Sequence, residues 1–363
     1  MKRGAVVLIV MALGALASRA TQAEPYLAVK MGLKCAVCHE NPTGGGLRTA
    51  FGNTYAQTQI AQHAIDFGEG GPWTGAINRF LSVGADLRAD ATLTKIPGGE
   101  AQSEFDLQEM RVYLQFNAIP NRLALYADQR FAPGTSSNLE AYAKLWFADR
   151  RGYVKAGQMY LPFGLRLEDD GAFVRQVTGL NMTTPDKGVE VDWDSAYWSG
   201  QLALTNGTAG APEQDDGKQW SAKLEHVRSR WRAGVSGSFN DSAIGDRRAI
   251  GAFAGLRTGP VAWLGEVDRI SDAGFPGATR ELWAGLVEAN WGFLRGHNLK
   301  LSFEGFEPDA DVPEDEQSRL SLLWEYTPLP FVQLRVGGRR YDGIPQNPLQ
   351  NRTLFIAELH AYF

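Results

Sequence analysis

The chain has 363 residues, 44% of them apolar and 11% aromatic, with 36 basic against 41 acidic side chains and a formal net charge of −5. That composition excludes a polytopic helical membrane protein and a disordered chain, and two cysteines exclude a disulfide-rich scaffold or a zinc finger. A net negative charge gives no reason to expect nucleic acid as a partner.

Residues 1–23 read as a secretory signal peptide. Lys2 and Arg3 form a basic start, Ala5 to Ala17 an apolar stretch, and Ser18-Arg19-Ala20 and Thr21-Gln22-Ala23 small-residue cleavage sites. The apolar stretch falls short of the ~20 residues that a spanning helix needs. Cleavage after Ala23 removes Lys2, Arg3 and Arg19 and no acid, so the mature chain is more acidic still. The expected product is an exported protein without a spanning helix.

Residues 24–75 form the next unit, a small module around Cys35-Ala36-Val37-Cys38-His39. This is C-x-x-C-H, the attachment pattern of one covalent haem c. Two thiols at that spacing add across the vinyl groups of one porphyrin edge, and the adjacent imidazole reaches the iron. Cys35, Cys38 and His39 are therefore the candidate cofactor-binding residues, with His39 as the proximal iron ligand. The other readings of the pair are a redox disulfide or a stray zinc pair. For the second axial position the candidates are His63, in the same module, then Met31 and His360, or an open iron. The turn Asn41-Pro42-Thr43-Gly44-Gly45-Gly46 would let backbone pass close to the haem edge.

From residue 76 to the end the period changes to two. Leu81, Val83, Ala85, Leu87 and Ala89 alternate with Ser82, Gly84, Asp86 and Arg88; Met110, Val112, Leu114 and Phe116 alternate with Arg111, Tyr113 and Gln115. Sixteen such segments follow, near 79–89, 106–118, 122–131, 138–149, 152–161, 187–195, 197–206 and 219–229, then 231–242, 247–258, 261–271, 279–293, 297–309, 316–328, 331–343 and 351–363. Connections after even-numbered segments are short, as at Ile119-Pro120-Asn121, Arg150-Arg151, Gly259-Pro260 and Leu329-Pro330. Those after odd-numbered segments are longer and polar. An even count, alternating short turns and long loops, and a terminal aromatic at Phe363 predict an all-β fold. It is a 16-stranded antiparallel outer-membrane β-barrel over 76–363 with a small N-terminal c-type haem module. A soluble β-sandwich would not need the loop asymmetry.

This topology puts both termini on the periplasmic side, with the module at the periplasmic mouth or in the lumen, and outer-membrane lipid around the barrel. Trp146, Tyr160, Trp193, Trp198, Trp291, Trp324 and Tyr362 are expected in aromatic girdles. Sixteen strands enclose an aqueous channel rather than a packed core. The longest loop, 163–186, is expected to fold inward as a constriction, by resemblance to general porins. Loops 90–104, 163–186, 207–218 and 309–316 are each net acidic, which concentrates cations at the outer mouth. The cluster Asp309, Asp311, Glu314, Asp315 and Glu316 would attract metal ions most, although its spacing is not that of an EF-hand.

Pro25, Ala28, Gly32, Cys35, Cys38, His39, Pro42 and the Phe51-Gly52 pair together resemble the outer-membrane fused monohaem cytochrome–porin family. The specific match covers about thirty residues, and the remainder is architectural. In that family the best-known members oxidise extracellular Fe(II). The stretch from His39 to Phe51 is longer here and Pro42 comes one residue early, as in a sister group with another donor or acceptor. The resemblance implies an electron-transfer oxidoreductase that moves electrons between an extracellular electron donor or acceptor and a periplasmic soluble cytochrome. The alternative is a solute-diffusion porin with a haem plug or sensor; Pro162-Phe163-Gly164 after Gly157 to Tyr160 resembles phosphate-selective porins.

Overall fold

The computed structural model describes residues 24–43, 45–213 and 215–363. The signal peptide expected over 1–23 lies outside the described residues. The first eight strands are β1 (Leu81–Lys95), β2 (Gln102–Ile119), β3 (Leu123–Ala132), β4 (Ser137–Phe147), β5 (Gly152–Met159), β6 (Asp186–Asp194), β7 (Trp198–Thr205) and β8 (Gln219–Val227). The rest are β9 (Trp231–Asn240), β10 (Arg247–Thr258), β11 (Val261–Asp272), β12 (Arg280–Leu294), β13 (His297–Glu307), β14 (Gln317–Leu329), β15 (Val332–Asp342) and β16 (Thr353–Tyr362). Each pairs antiparallel with its sequence neighbours, and β1 pairs with β16 to close a sixteen-stranded barrel. The count and order are those the alternation predicts.

Period two sorts the side chains between the two faces. On β14, Leu320, Leu322 and Trp324 stand exposed outside while Arg319, Ser321 and Glu325 are buried inside. On β8, Trp220 and Leu224 point out and Ser221 and Glu225 point in. An apolar exterior around a polar interior is the reverse of a water-soluble protein and suits a barrel wrapped by lipid.

The girdle expectation needs correcting at three positions. Trp193, Trp198, Trp291 and Trp324 do stand on the outer face, but Trp146, Tyr160 and Tyr362 are buried inside. The register is the reason. Trp146 lies between the outward Leu145 and Phe147, and Tyr362 precedes the outward Phe363, so alternation turns both inward. Tyr160 has already left β5 and begins the inward loop. The first hairpin is also taller than expected. The alternation continues through Ala91-Thr92-Leu93-Thr94, which pairs with both β2 and β16 and reduces the expected 90–105 loop to 96–101.

Before the barrel come α1 (Pro25–Met31), α2 (Cys35–Cys38) and α3 (Ala50–Tyr55), the last running into a wider turn over Ala56–Ile60. Pro25 pre-sets the first turn of α1, and Gly32 ends it in the left-handed region with its N–H on the Ala28 and Val29 carbonyls. Thr49 caps α3 by accepting from the Gly52 N–H at 3.1 Å. Between β5 and β6, residues 160–185 turn into the barrel and carry the short α4 (Phe173–Gln176). The inward course expected for 163–186 is what the structure has.

Module and loop together fill the lumen. Tyr26 and Val29 of α1 pack with Leu165, Leu167, Phe173 and Val174 of the loop against Phe253, Leu264 and Leu286 of the wall. An apolar core thus lies where sixteen strands alone would enclose water. Each fully buried Leu, Val or Phe in it contributes about 1.5–3 kcal/mol.

Candidate functional site

Polar contacts seat the module at the short-turn end of the barrel. Arg295, in the β12–β13 turn, donates to the carbonyls of Thr58 (2.6 Å) and Ala61 (2.7 Å). Arg257 donates to the Lys30 carbonyl at 2.8 Å. Lys34 reaches Asp194 at 2.8 Å and two carbonyls of the β6–β7 turn. Deeper in the lumen, Glu24 pairs with Lys300 at 2.7 Å, Asn41 donates to Glu140 at 2.9 Å, and Tyr26 donates to Glu325 at 3.2 Å.

The inward loop is fastened from the opposite side. Arg175, fully buried, pairs with Glu266 of β11. Asp169 takes Arg319 at 2.7 Å and Arg339 at 2.8 Å. Glu168 lies between Arg88 at 2.9 Å and Arg335 at 3.2 Å. Burial alone would raise the Glu168 carboxyl, but Arg88 and then Arg335 outweigh it and hold the pKa at about 2. Of the acids expected to face outward from 163–186, Glu168 and Asp169 are therefore neutralised inside the barrel. Arg166 ties the loop to the module by donating to the Thr43 carbonyl at 3.1 Å.

Module, loop and wall enclose a cavity of about 800 Å³, its mouth included. Cys35, Cys38 and His39 all line it, with Pro25, Leu27, Met31, Ile60 and Leu165 among its apolar walls. The two cysteines are one helical turn apart on α2, which brings both thiols to one face, and they are not bonded to each other. Burial, then the neighbouring Cys35, pushes the Cys38 thiol up to about 11. His39 is only 6% exposed. Burial, then the Arg48 guanidinium, lowers its pKa to about 3, against the pull of the Gly45 and Gly46 backbone, so the imidazole is neutral. Its Nδ1 is buried, with the Gly45 and Gly46 backbone beside the ring. A neutral imidazole beside two thiols offers donor atoms to a cofactor that enters this cavity. Gly52 lets α3 close on this turn, because a Cβ there would come within 2.3 Å of the Cys38 carbonyl oxygen.

The same walls carry charge. Lys34, Arg48, Arg166, Lys223 and Arg232 line the cavity against two carboxylates, Glu24 and Glu225. Arg232 is held by Glu225 at 2.7 and 2.8 Å.

The other sequence candidates are not gathered here. His63 is exposed, gives its backbone N–H to the Pro328 carbonyl, and does not line the cavity. His360 does face the lumen, but it lies outside the cavity with its Nε2 2.7 Å from Asp86. Met31 alone of the three shares the cavity with His39. The glycine turn lies beside His39 and also meets the barrel wall, since a Cβ on Gly46, at φ +69°, would come within 2.4 Å of the Tyr126 hydroxyl. Asp309 pairs with Arg280 at 3.6 Å, and among the described residues no group of three His, Cys, Asp or Glu is placed to hold a metal ion. Sequence reading missed Arg166, Lys223 and Arg232. They come from the loop, β8 and β9, and only barrel closure brings them to the module.

No family model matches the chain, and neither does any curated protein. Solved structures do match, at low identity. OprB of Pseudomonas putida superposes with a TM-score of 0.62 at 7% identity, covering 85% of this chain and 100% of that one. An anion-selective porin from Comamonas acidovorans gives 0.60 at 10% identity, covering 78% and 99%. A loop-deletion mutant of OmpT, an outer membrane protein of Vibrio cholerae, gives the same values. The barrel is thus a porin-type fold. The part of this chain outside the 78% that the latter two cover is about the size of the N-terminal module and signal segment.

Proposed function

We propose that this chain is an outer-membrane electron-transfer protein, a porin-type barrel plugged by a module that carries one covalent haem c on Cys35 and Cys38. The observation that carries the reading is a coincidence of motif and cavity. The only two cysteines and the adjacent histidine, in the haem-attachment order, line one largely apolar cavity. A neutral His39 suits an iron ligand, and cations on the walls suit a group with carboxylates. The haem, when bound, supplies one-electron chemistry at its iron.

The chain's own residues do the rest. Cys35 and Cys38 tether the group and His39 orients it. The apolar walls exclude water. Met31, which lines the same cavity as His39, would be the candidate for a second iron ligand. A single haem is far shorter than a hydrocarbon core of ~30 Å, so both electron partners must come close to the cavity. An extracellular donor or acceptor, Fe(II) in the family that the module resembles, descends the lumen from the long-loop end to the inward loop. There Leu165 and Arg166 wall the cavity. A periplasmic soluble cytochrome docks at the short-turn end, where the module meets the turns.

The test is a haem stain of the denatured outer-membrane fraction from a host with c-type cytochrome maturation. The wild type should stain near its mature mass. Cys35→Ala with Cys38→Ala should keep the heat-modifiable migration of a folded barrel while losing the stain and all electron transfer. An unstained wild-type band would overturn the reading and leave a porin.

A further inference from the structure

Three cations on the cavity wall have no carboxylate within 4.0 Å among the described residues. Arg48, 7% exposed, lies 3.9 Å from the centroid of the Tyr362 ring. Arg166, 6% exposed, spends its donors on backbone carbonyls: Thr43 at 3.1 Å, Leu161 at 2.7 Å and Leu180 at 3.4 Å. Lys223 donates to the Gly164 carbonyl at 2.7 Å, with the Phe253 ring centroid 4.7 Å away. The remaining charges on the wall are matched, Lys34 by Asp194, Arg232 by Glu225, and Glu24 by Lys300. Buried charge is normally paired, because an unpartnered ion loses its hydration and gains nothing in return. Several other buried cations of this lumen are paired in this way, Arg175 with Glu266 and Arg319 with Asp169 and Glu304. A largely apolar cavity whose wall carries five cations against two carboxylates, three of the cations without an ion pair, suits a large apolar molecule that brings its own carboxylates.

We propose that Arg166 and Lys223, together with Arg48, are the counter-charges of the haem propionates, so that the inward loop and the barrel wall complete the haem site. The inference rests on the haem reading above and goes beyond it. Of the three cations, Arg48 belongs to the module, whereas Arg166 comes from the loop and Lys223 from β8. The haem would then be an ionic bridge between plug, loop and wall, and its redox poise would be set by barrel residues. Burial, then the charge of Arg175, holds Arg166 down at about 10, a strain that a propionate would relieve.

The sign of the redox effect follows from charge. Reduction adds an electron to the site, so a nearby cation favours the reduced form and its removal disfavours it. A unit charge ~10 Å from the iron at an effective dielectric of about 20 changes the reduction equilibrium about tenfold, which is 59 mV for one electron. Full-length Arg166→Gln, Lys223→Gln and Arg166→Lys are to be purified from the outer membrane. Each is then examined by haem stain, heat-modifiable migration and spectroelectrochemical titration.

Both Gln variants should keep covalent haem and a folded barrel, with the reduction equilibrium shifted about tenfold toward the oxidised form. Arg166→Lys should return to within about twofold of wild type. If Arg166→Gln fails to fold, Lys223→Gln carries the test, because the backbone ladders of β8 with β7 and β9 do not depend on the Lys223 side chain. Haem-bearing Gln variants whose equilibrium stays within about twofold of wild type would overturn this proposal and leave the haem reading standing. A wild type without covalent haem would overturn the haem reading itself.

Discussion

Glu266→Ala is expected to unlatch the inward loop. The Glu266 carboxylate accepts from two groups, both on that loop: the Arg175 guanidinium and the backbone N–H of Leu165, the latter at 2.8 Å. Both sites are buried, and the side chains of Arg175 and Glu266 are each 0% exposed. Truncation leaves a guanidinium without a partner, which costs about 3–5 kcal/mol. It also leaves a buried N–H unsatisfied, which costs about 1–3 kcal/mol. Relaxation makes these less than additive, so about 4 kcal/mol is a fair working figure, equivalent to about a thousandfold in the ratio of seated to released loop. The barrel ladder does not depend on this side chain, so the protein should still assemble. The assay is planar-bilayer conductance, supported by limited proteolysis. Wild type should conduct poorly and resist cleavage within 163–178, whereas the variant should conduct more, with large fluctuations, and be cut there. Pairing it with Arg175→Met, which removes the stranded charge, should restore most of the closure. If single variant and wild type show the same conductance and the same protease resistance, the loop does not close the lumen and the reasoning fails. A wild type that conducts freely at every haem redox state would favour a solute-diffusion porin.

The same loop should respond to acid. Glu168 is held at about 2 instead of the ordinary 4.5, because Arg88 and Arg335 outweigh its burial. Its contribution is therefore complete above about pH 4.5 and is lost as pH falls toward 2, a total of about 3 kcal/mol. Conductance should rise over that interval in wild type, and Glu168→Gln should conduct at neutral pH and show a flatter response. Met31→Ala should change the visible spectrum of the haem protein and lower its midpoint potential, as loss of a thioether ligand does, whereas His63→Ala and His360→Ala should leave both unchanged. An unaltered Met31→Ala spectrum would remove Met31 as a ligand.

Local rules explain which features could be read from the sequence. Period-two alternation is a property of each strand, so sixteen segments and their turns could be counted one at a time, and Cys35, Cys38 and His39 stand within five residues. The misassigned aromatics show where such reading stops. Trp146 was placed by residue type, but its face is decided by Leu145 and Phe147, and counting alternation from those neighbours would have turned it inward. His63 was favoured for its nearness in sequence, yet the chain after Ile60 leaves for the rim, where the His63 N–H meets the Pro328 carbonyl. The cations of the cavity had no local signal at all. Lys223 and Arg232 look like ordinary lumen-facing residues until the ring closes and the module descends between them.

The distribution of acid over the loops bears on what would reach a haem bound in the cavity. Counted from sequence, 163–186 is one of four acidic loops at the mouth, but Glu168 and Asp169 are occupied by Arg88, Arg335, Arg319 and Arg339 deep in the lumen. What remains to attract cations outside is chiefly 207–218 and 309–316, on opposite sides of β8 to β13. A cation drawn to that mouth meets an inward loop whose acids are already neutralised and whose next layer is the apolar core around Phe173 and Leu165. The attraction therefore ends above the cavity. An ionic donor such as Fe(II) would be gathered at the mouth and give up its electron across the loop instead of entering the haem site. On this geometry, neutralising the acids of 309–316 should slow the reaction at low donor concentration, with the limiting rate unchanged. An equal loss at saturating donor would mean that those acids act at the transfer step itself.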